Sequence, residues 1–174
     1  MIEKAEVPDF RALFEAQFSY VWSVLRRLGV HADDVEDLTH EVFLNVYRRL
    51  SEFDPTRPPR PWLFGFALRV ASTHRRRAHH RREVIGVETS ARDASLPADV
   101  QLADHEEHSL LLRALDTIDL ERRAVLVLHE WDGEPIPEVA RALGIPLNTA
   151  YSRLRAARED LAAAVKRLTA RRGT

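Results

Sequence analysis

An all-helical chain of two small domains joined by a flexible acidic linker, the second domain carrying a helix-turn-helix, is the fold this sequence predicts. Three observations carry that prediction. Apolar residues recur at three- and four-residue spacing in the first 80 residues and again after residue 109, and no stretch alternates as a strand does. Residues 83–108 lose that periodicity. Residues 135–158, PIPEVARALGIPLNTAYSRLRAAR, place a glycine turn between two short apolar-striped segments.

The first helix is expected along Phe10, Leu13, Phe14, Gln17, Val21, Val24, Leu25 and Leu28, ending at Gly29. A second opens at Asp33, with Glu36 three residues later as its capping-box partner. Its stripe is Val35, Leu38, Val42, Phe43, Val46, Tyr47 and Leu50. Ser51 to Pro61 is a loop, because its four prolines disfavour helix in the residues before them. A third helix starts near Pro61 or Trp62, buries Leu63, Phe66, Ala67, Val70 and Ala71, and runs into an arginine cluster. In the linker, Gly86, Ser90, Ser95 and Pro97 interrupt any pattern. Helix resumes near Glu106 with Leu111, Leu112, Leu115 and Ile118. Asp119 caps the next helix, which shows Ala124, Val125, Leu128 and Trp131 and closes at Gly133. The expected units are therefore 1–82, linker 83–108, and 109–174.

Composition excludes several function classes. Across 174 residues there is no cysteine, hence no disulfide, thiolate zinc site or cysteine nucleophile. No apolar run is long enough to cross a membrane, so no membrane insertion is expected. The segment Met1 to Arg11 lacks an export signal's apolar core, so the chain is expected in the cytoplasm. The net charge of -1 argues against a nucleic-acid partner only until it is resolved by segment. Residues 1–82 carry +3, residues 83–108 carry -6 and residues 109–174 carry +2. The basic charge is concentrated further: Arg69 to Arg82 holds six arginines and no acid. Two arginines would suit a helix C-terminus. Six suggest a phosphate-binding stripe, and both readings stand at this point.

The segment 135–158 is the most specific. A helix from Ile136 to Leu143 reaches Gly144, and a second begins near Pro146. If Ala150, Leu154, Ala157 and Leu161 face the core, period 3.6 places Asn148, Tyr151, Ser152, Arg155 and Glu159 outward. Asn, Ser and Arg hydrogen-bond base edges and phosphates. Arg153 and Arg158 flank that face and suit phosphates. A plain helical hairpin with a solvated face is the alternative. Trp62 is either core or a stacking platform for an unpaired base, and Phe53, Asp54, Arg57 and Arg60 in the preceding loop suit holding such a base. Asp33, Asp34, Glu36, Asp37 and Glu41 are acids with no base among them. The first two complement a helix N-terminus, and the others are either a solvated face or one that docks on a basic partner helix. His74, His79 and His80 are not read as a metal site, because adjacent helical side chains diverge and no carboxylate is expected nearby. No phosphate loop, nucleophile elbow or HExxH is present, so neither an enzyme nor a cofactor is expected.

These residues resemble the extracytoplasmic-function (ECF) group of bacterial sigma-70 family sigma factors. Asp34 to Leu44, DVEDLTHEVFL, is similar to the family's region 2 motif DAEDLVQEVFL. Pro61-Trp62-Leu63-Phe64 resembles the start of its promoter-melting helix, and Asp132 to Arg158 resembles its region 4 motif. The resemblance implies a promoter-specificity subunit of RNA polymerase. In it, Asp33 to Glu41 would contact the β′ clamp helices. The loop Ser51 to Arg60 would capture a flipped minus-10 base, and the helix from Trp62 through Arg69, Arg75 and Arg76 would hold melting DNA. The second domain would bind the β flap and read the minus-35 element through Asn148, Thr149, Tyr151, Ser152 and Arg155. The acidic linker would thread the polymerase channel, and an anti-sigma factor is an expected partner. Leu68-Arg69 stands where the family commonly has Arg-Asn, Pro135 replaces a capping serine, and Tyr151 replaces a lysine or arginine, so promoter preference is expected to differ. A free-standing helix-turn-helix regulator and an all-helical adaptor are the rival readings.

Overall fold

The computed structural model describes residues 9–85 and 102–170, with the side chains of 81–85 and 102–106 outside that description. Seven α-helices make up these residues: α1 Phe10–Arg27, α2 Ala32–Arg48, α3 Pro59–Ile85, α4 Leu102–Asp116, α5 Leu120–Glu130, α6 Ile136–Leu143 and α7 Leu147–Ala170. A 3-10 turn, Leu50–Glu52, follows α2. No strand occurs among the described residues, as the periodicity predicts.

Local chemistry sets most boundaries. Asp9 caps α1 by accepting from the Arg11 amide. The cap of α2 differs from expectation. It is His31, whose Nδ1 accepts from the Asp33 amide, so the helix starts one residue before Asp33 and no capping box forms at Asp33. Asp119 caps α5 as expected, accepting from the Glu121 amide. The third helix begins at Pro59, earlier than expected, because proline is at home in a first turn where its missing amide has no partner to lose. That helix runs to Ile85 and α4 resumes at Leu102, so both reach into the expected linker. The middle of that linker, with Gly86, Ser90, Ser95 and Pro97, lies outside the described residues.

α1, α2 and α3 pack pairwise, and α5, α6 and α7 do the same with α4 laid on α7. The two sets also touch each other. α3 packs on α5 and α6, and α1 reaches α4. One continuous hydrophobic cluster runs from Leu13, Val24 and Phe43 through Leu63 and Phe64 to Leu126, Val139 and Leu154. Helix α5 is central: every residue from Arg123 to Leu128 is buried. A helix buried all round is surrounded by partners rather than laid on a surface.

Arg123 is the exception inside that helix. It is a charged side chain with 0% exposure. Its Nη1 meets Asp116 Oδ1 at 2.8 Å and its Nη2 donates to the Ile118 carbonyl at 2.9 Å, while its Nε has no partner among the described residues. The guanidinium lies against Gly29, in the turn between α1 and α2. Gly29 has φ +89, and a Cβ there would collide with Arg123 Nη1 and come within 2.7 Å of Asp116 Oδ1. Gly144, at φ +65, meets nothing within 4 Å. An L side chain in the left-handed region costs roughly 1–2 kcal/mol. Gly144→Ala is therefore expected to lower stability by about that amount in urea unfolding. Gly29→Ala is expected to cost clearly more, because it also displaces the Arg123–Asp116 pair. Equal losses would show that Arg123 does not seat on Gly29.

Candidate nucleic-acid interface

α6 and α7 form the expected helix–turn–helix order. α6 spans Ile136–Leu143 and ends on left-handed Gly144, whose amide bonds back to α6 carbonyls. Pro135 stands at the N-cap and makes no side-chain capping bond. Val139 and Ala140 on α6 and Ala150, Leu154 and Ala157 on α7 are buried, with Leu143, Ile145 and Leu161 partly buried against them. Alanine at 140, 150 and 157 allows the close approach. The opposite side of α7 exposes Asn148, Tyr151, Ser152 and Arg155, with Thr149 half-buried at the edge. Tyr151 is 54% exposed, high for an aromatic ring with no packing role. The Ser152 hydroxyl donates to the Thr149 carbonyl at 3.0 Å. Among the described residues Arg155 has no ion-pair partner.

The two flanking arginines are engaged. Arg153 pairs with Glu121, and Arg158 donates from Nε and Nη2 to Glu130 Oε1 at 2.8 and 2.5 Å. Arg122 reaches Asp160 at 2.9 Å. All three ties join α5 to α7. They fix the exposed helix on its central support, a role the sequence did not disclose. Being partly exposed, each adds little stability by itself.

A second cluster lies at the loop after α2. The Phe53 and Trp62 rings stand 4.9 Å apart, and Trp62 meets Phe66 edge-on at 5.0 Å. Phe66 is buried, as its helical spacing predicts, whereas Phe53 and Trp62 are half-exposed. Arg69 and Arg49 lie over the Phe66 ring at 5.5 and 5.6 Å. Arg49 also forks onto Glu52, and that pairing holds the Glu52 carboxyl below its usual range. Asp54 accepts from both the amide and the hydroxyl of Thr56, which lowers its pKa and shapes the loop. Arg57 lies 3.7 Å from Asp54. This is a half-open aromatic pair rimmed by arginines, suited to stacking on a planar base.

The arginine run behaves less uniformly than its spelling. Arg69 and Arg76 are exposed. Arg60 is exposed too, but its guanidinium lies 4.9 Å over the Tyr20 ring. Arg75 is half-buried and points to Gly29, where its charge joins burial in pushing Arg123 down to about 10. The side chains of Arg81 and Arg82 are outside the described residues.

The acidic cluster on α2 also divides. Asp33 pairs with His31, and Asp34 with His74 Nε2 on α3 at 3.4 Å, so a carboxylate does lie beside His74, contrary to expectation, because α2 packs on α3. Glu36 and Asp37 remain exposed, with Glu41 partly so. Beside them α2 exposes Leu44 at 58% and Tyr47 at 63%. Tyr47 was expected on the buried stripe. Instead it sits at the rim, with its ring 5.0 Å from Phe10. The result is a mixed acidic and apolar surface. No cluster of three or more His, Asp or Glu side chains suited to a metal occurs among the described residues. Nor is any described helix long and apolar enough to cross a membrane.

The polar contacts between the two helix sets carry no signature in the sequence. The Tyr20 hydroxyl donates to Asp132 Oδ2 at 2.5 Å. Burial, then the Asp132 charge, push the Tyr20 pKa well up, and burial raises that of Asp132. Arg27 lies 5.9 Å over the Trp131 ring. No sequence signal links residues 112 positions apart.

Comparison with known proteins places this geometry. Residues 13–81 match the family model of sigma-70 region 2, and residues 108–161 that of sigma-70 region 4. The RNA polymerase sigma factor NccH of Alcaligenes xylosoxydans xylosoxydans is 32% identical, across 79% of this chain and 76% of its own. The ECF RNA polymerase sigma factor SigL of Mycobacterium tuberculosis is 31% identical, across 86% of this chain and 85% of its own. Among solved structures, the sigma factor RpoE of Bartonella quintana, crystallised with the anti-sigma factor NepR, has the same fold. It superposes with TM-score 0.71 at 20% identity, covering 91% of this chain and 97% of that one. CnrH in complex with the cytosolic domain of CnrY superposes with TM-score 0.63 at 25% identity, covering 90% and 87%. With both sigma-70 regions matched in order and relatives above 30% identity over more than three quarters of either chain, the chain belongs to the ECF group of the sigma-70 family, the RNA polymerase sigma factors of transcription initiation.

Proposed function

We propose that this sigma factor directs promoter-specific initiation by recognising the minus-10 and minus-35 elements and helping to melt the DNA. Two functional units carry the work, residues 1–82 and 109–174. The observation that carries the reading is the outward face of α7. Asn148, Tyr151, Ser152 and Arg155 stand clear of the core while Ala150, Leu154 and Ala157 anchor the helix from behind. A helix held this way lays its exposed side chains along base edges of the major groove, here at the minus-35 element. Thr149 lies at its rim, and Arg153 and Arg158 serve phosphates on its flanks once DNA competes for their α5 partners.

The minus-10 element falls to the aromatic cluster. Phe53 and Trp62 receive a base turned out of the stack, with Asp54, Arg57 and Arg60 on the loop around it. Arg69 and Arg76 follow the backbone, and Arg75 joins them once it is released from Gly29. Glu36, Asp37 and Glu41, together with Leu44, form the surface for the basic β′ clamp helices of core polymerase, with Asp33 and Asp34 at its margin. The second unit meets the β flap. An anti-sigma factor is a further partner in this reading, supported by the similar sigma factors solved in complex with NepR and CnrY. The chain supplies binding energy rather than catalysis, needs no cofactor, and acts in the cytoplasm, where the polymerase is.

Run-off transcription with purified core polymerase tests the role. The chain should direct specific transcripts that core polymerase alone does not make. Tight, sequence-specific gel shifts by the isolated protein, with no polymerase-dependent transcript, would favour a free-standing regulator instead. Arg155→Ala is expected to cost ~1–3 kcal/mol of minus-35 recognition, read as reduced initiation at a minus-35-dependent promoter and none at a mutated element. Trp62→Ala removes a stacking surface worth about 1–3 kcal/mol per base. Permanganate reactivity of the melted region should fall with it, while polymerase binding stays intact. A charge reversal, Glu36→Lys with Asp37→Lys, should do the opposite, weakening binding to core polymerase at low salt and leaving the fold unchanged.

A further inference from the structure

The arginines around α6 and α7 are less available than their number suggests. Arg141 pairs with Glu138, Arg153 with Glu121, Arg158 with Glu130, and Arg122 of α5 with Asp160. Among the described residues, Arg155 is the one arginine between 141 and 158 left without a carboxylate. The pairs of Arg153 and Arg158 are placed differently from the others. Both arginines flank the outward face of α7, and both carboxylates come from α5, 32 and 28 positions away in sequence. Glu130 holds Arg158 twice on one oxygen, from Nε at 2.8 Å and from Nη2 at 2.5 Å. The Arg153 side chain is 26% exposed and that of Glu121 67%, so the acid rather than the base meets solvent there. A cavity of about 500 Å³ opens beside this pair, lined in part by Arg122, Thr149 and Ser152. It reaches the outward face of α7 at the last two residues and leaves the Arg153 guanidinium room to swing.

Partly exposed pairs of this kind contribute little to stability. Their effect on the charge that DNA meets is larger. A free guanidinium attracts phosphate from about a Debye length away, roughly 8–10 Å near physiological salt, whatever the base sequence. Paired with a carboxylate it presents a dipole, whose field falls off faster with distance. A phosphate must then arrive at contact distance to displace the acid. A recognition helix seated in the groove brings phosphates that close on its flanks, whereas a loosely bound one does not. The acids therefore make the flanking phosphate contacts conditional on fit. Non-specific sites outnumber promoters by about a millionfold or more, so suppressing loose binding raises effective discrimination.

We propose that Glu121 and Glu130 are specificity-determining residues of the minus-35 reader: each withholds one arginine, Arg153 or Arg158, from DNA until the outward face of α7 is fully seated. The proposal rests on the minus-35 reading argued above and deepens it. The two acids touch no base and act through the arginines they hold, as positioning residues. Arg155, unpaired, supplies the first attraction. The two flanking arginines exchange carboxylate for phosphate only in the docked complex, so their contribution adds to the correct element and little to any other.

Glu121→Gln with Glu130→Gln keeps an acceptor oxygen at each position and removes both charges. Run-off transcription on core polymerase is compared on two templates that share a minus-10 element, one with its minus-35 element intact and one with it scrambled. Wild type should prefer the intact template. The doubly substituted chain should initiate about fivefold more often than wild type on the scrambled template, while the intact template changes by less than about twofold. Binding of the full chain to scrambled duplex should also become more salt-dependent, its log–log slope steeper by ~0.9 per freed arginine. Pairs that only brace α7 would lower initiation on both templates alike and leave that slope unchanged, and this result overturns the proposal. The same two substitutions in a chain that also carries Arg153→Gln and Arg158→Gln should leave the slope as it is, because no arginine remains to be freed. A slope that steepens there as well would show the acids repelling DNA directly and would equally overturn it. A wild type that transcribes both templates equally is a distinct outcome: it sinks the minus-35 reading itself, and the proposal with it.

Discussion

The buried guanidinium of Arg123 is the point on which the two ends of this chain meet. It is wholly enclosed, bonded to Asp116 and the Ile118 carbonyl, and seated on a glycine that tolerates no side chain. Enclosing a charge is costly unless its partners are held in place. Placing Asp116 requires the end of α4, placing Arg123 requires α5, and opening the seat requires the left-handed turn at Gly29. Two neighbouring helices and a turn far from them in sequence are thereby fixed together. The rest follows by packing: α5 positioned this way is the support on which α6 and α7 rest, and α7 turns Asn148, Tyr151, Ser152 and Arg155 outward.

The charge distribution complements that arrangement. A chain with net charge -1 is a poor ligand for DNA as a whole. In the proposed function its arginines act locally, on α3 and along α7, while the acids of α2 serve another partner. Such a molecule gains promoter affinity mainly when polymerase holds its parts at the right separation, because a second contact made within one complex is strengthened by effective concentration. Weak affinity when free is useful in a subunit that must not occupy promoters by itself.

Some of this was legible in the residues and some was not, for physical reasons. α6 was readable to the residue because left-handed Gly144 and the flanking prolines punctuate it. The buried stripe of α3 was readable because period 3.6 reports which side is apolar. The start of α2 was missed because His31 is an unusual cap. The extents of α3 and α4 were underestimated because polar residues do not end a helix when neighbouring turns hold it. Periodicity also says nothing about what covers a face. The pairing of Arg153 with Glu121 and Arg158 with Glu130 depends on how α5 lies against α7, and the Tyr20–Asp132 bond on how α1 lies against the α5–α6 turn. The outward set Asn148, Tyr151, Ser152 and Arg155 emerged as anticipated, since it needed only the register of one helix.

The central claim is the proposal that the outward face of α7 meets the minus-35 element when core polymerase holds the chain on a promoter. With no native cysteine, a DNA-cleaving iron chelate attaches cleanly at Glu159→Cys, exposed on α7. Cleavage of promoter DNA in the complex with core polymerase reads the position of that helix directly. Cuts clustered at the minus-35 element are the predicted result. Cuts that avoid that element would contradict the account.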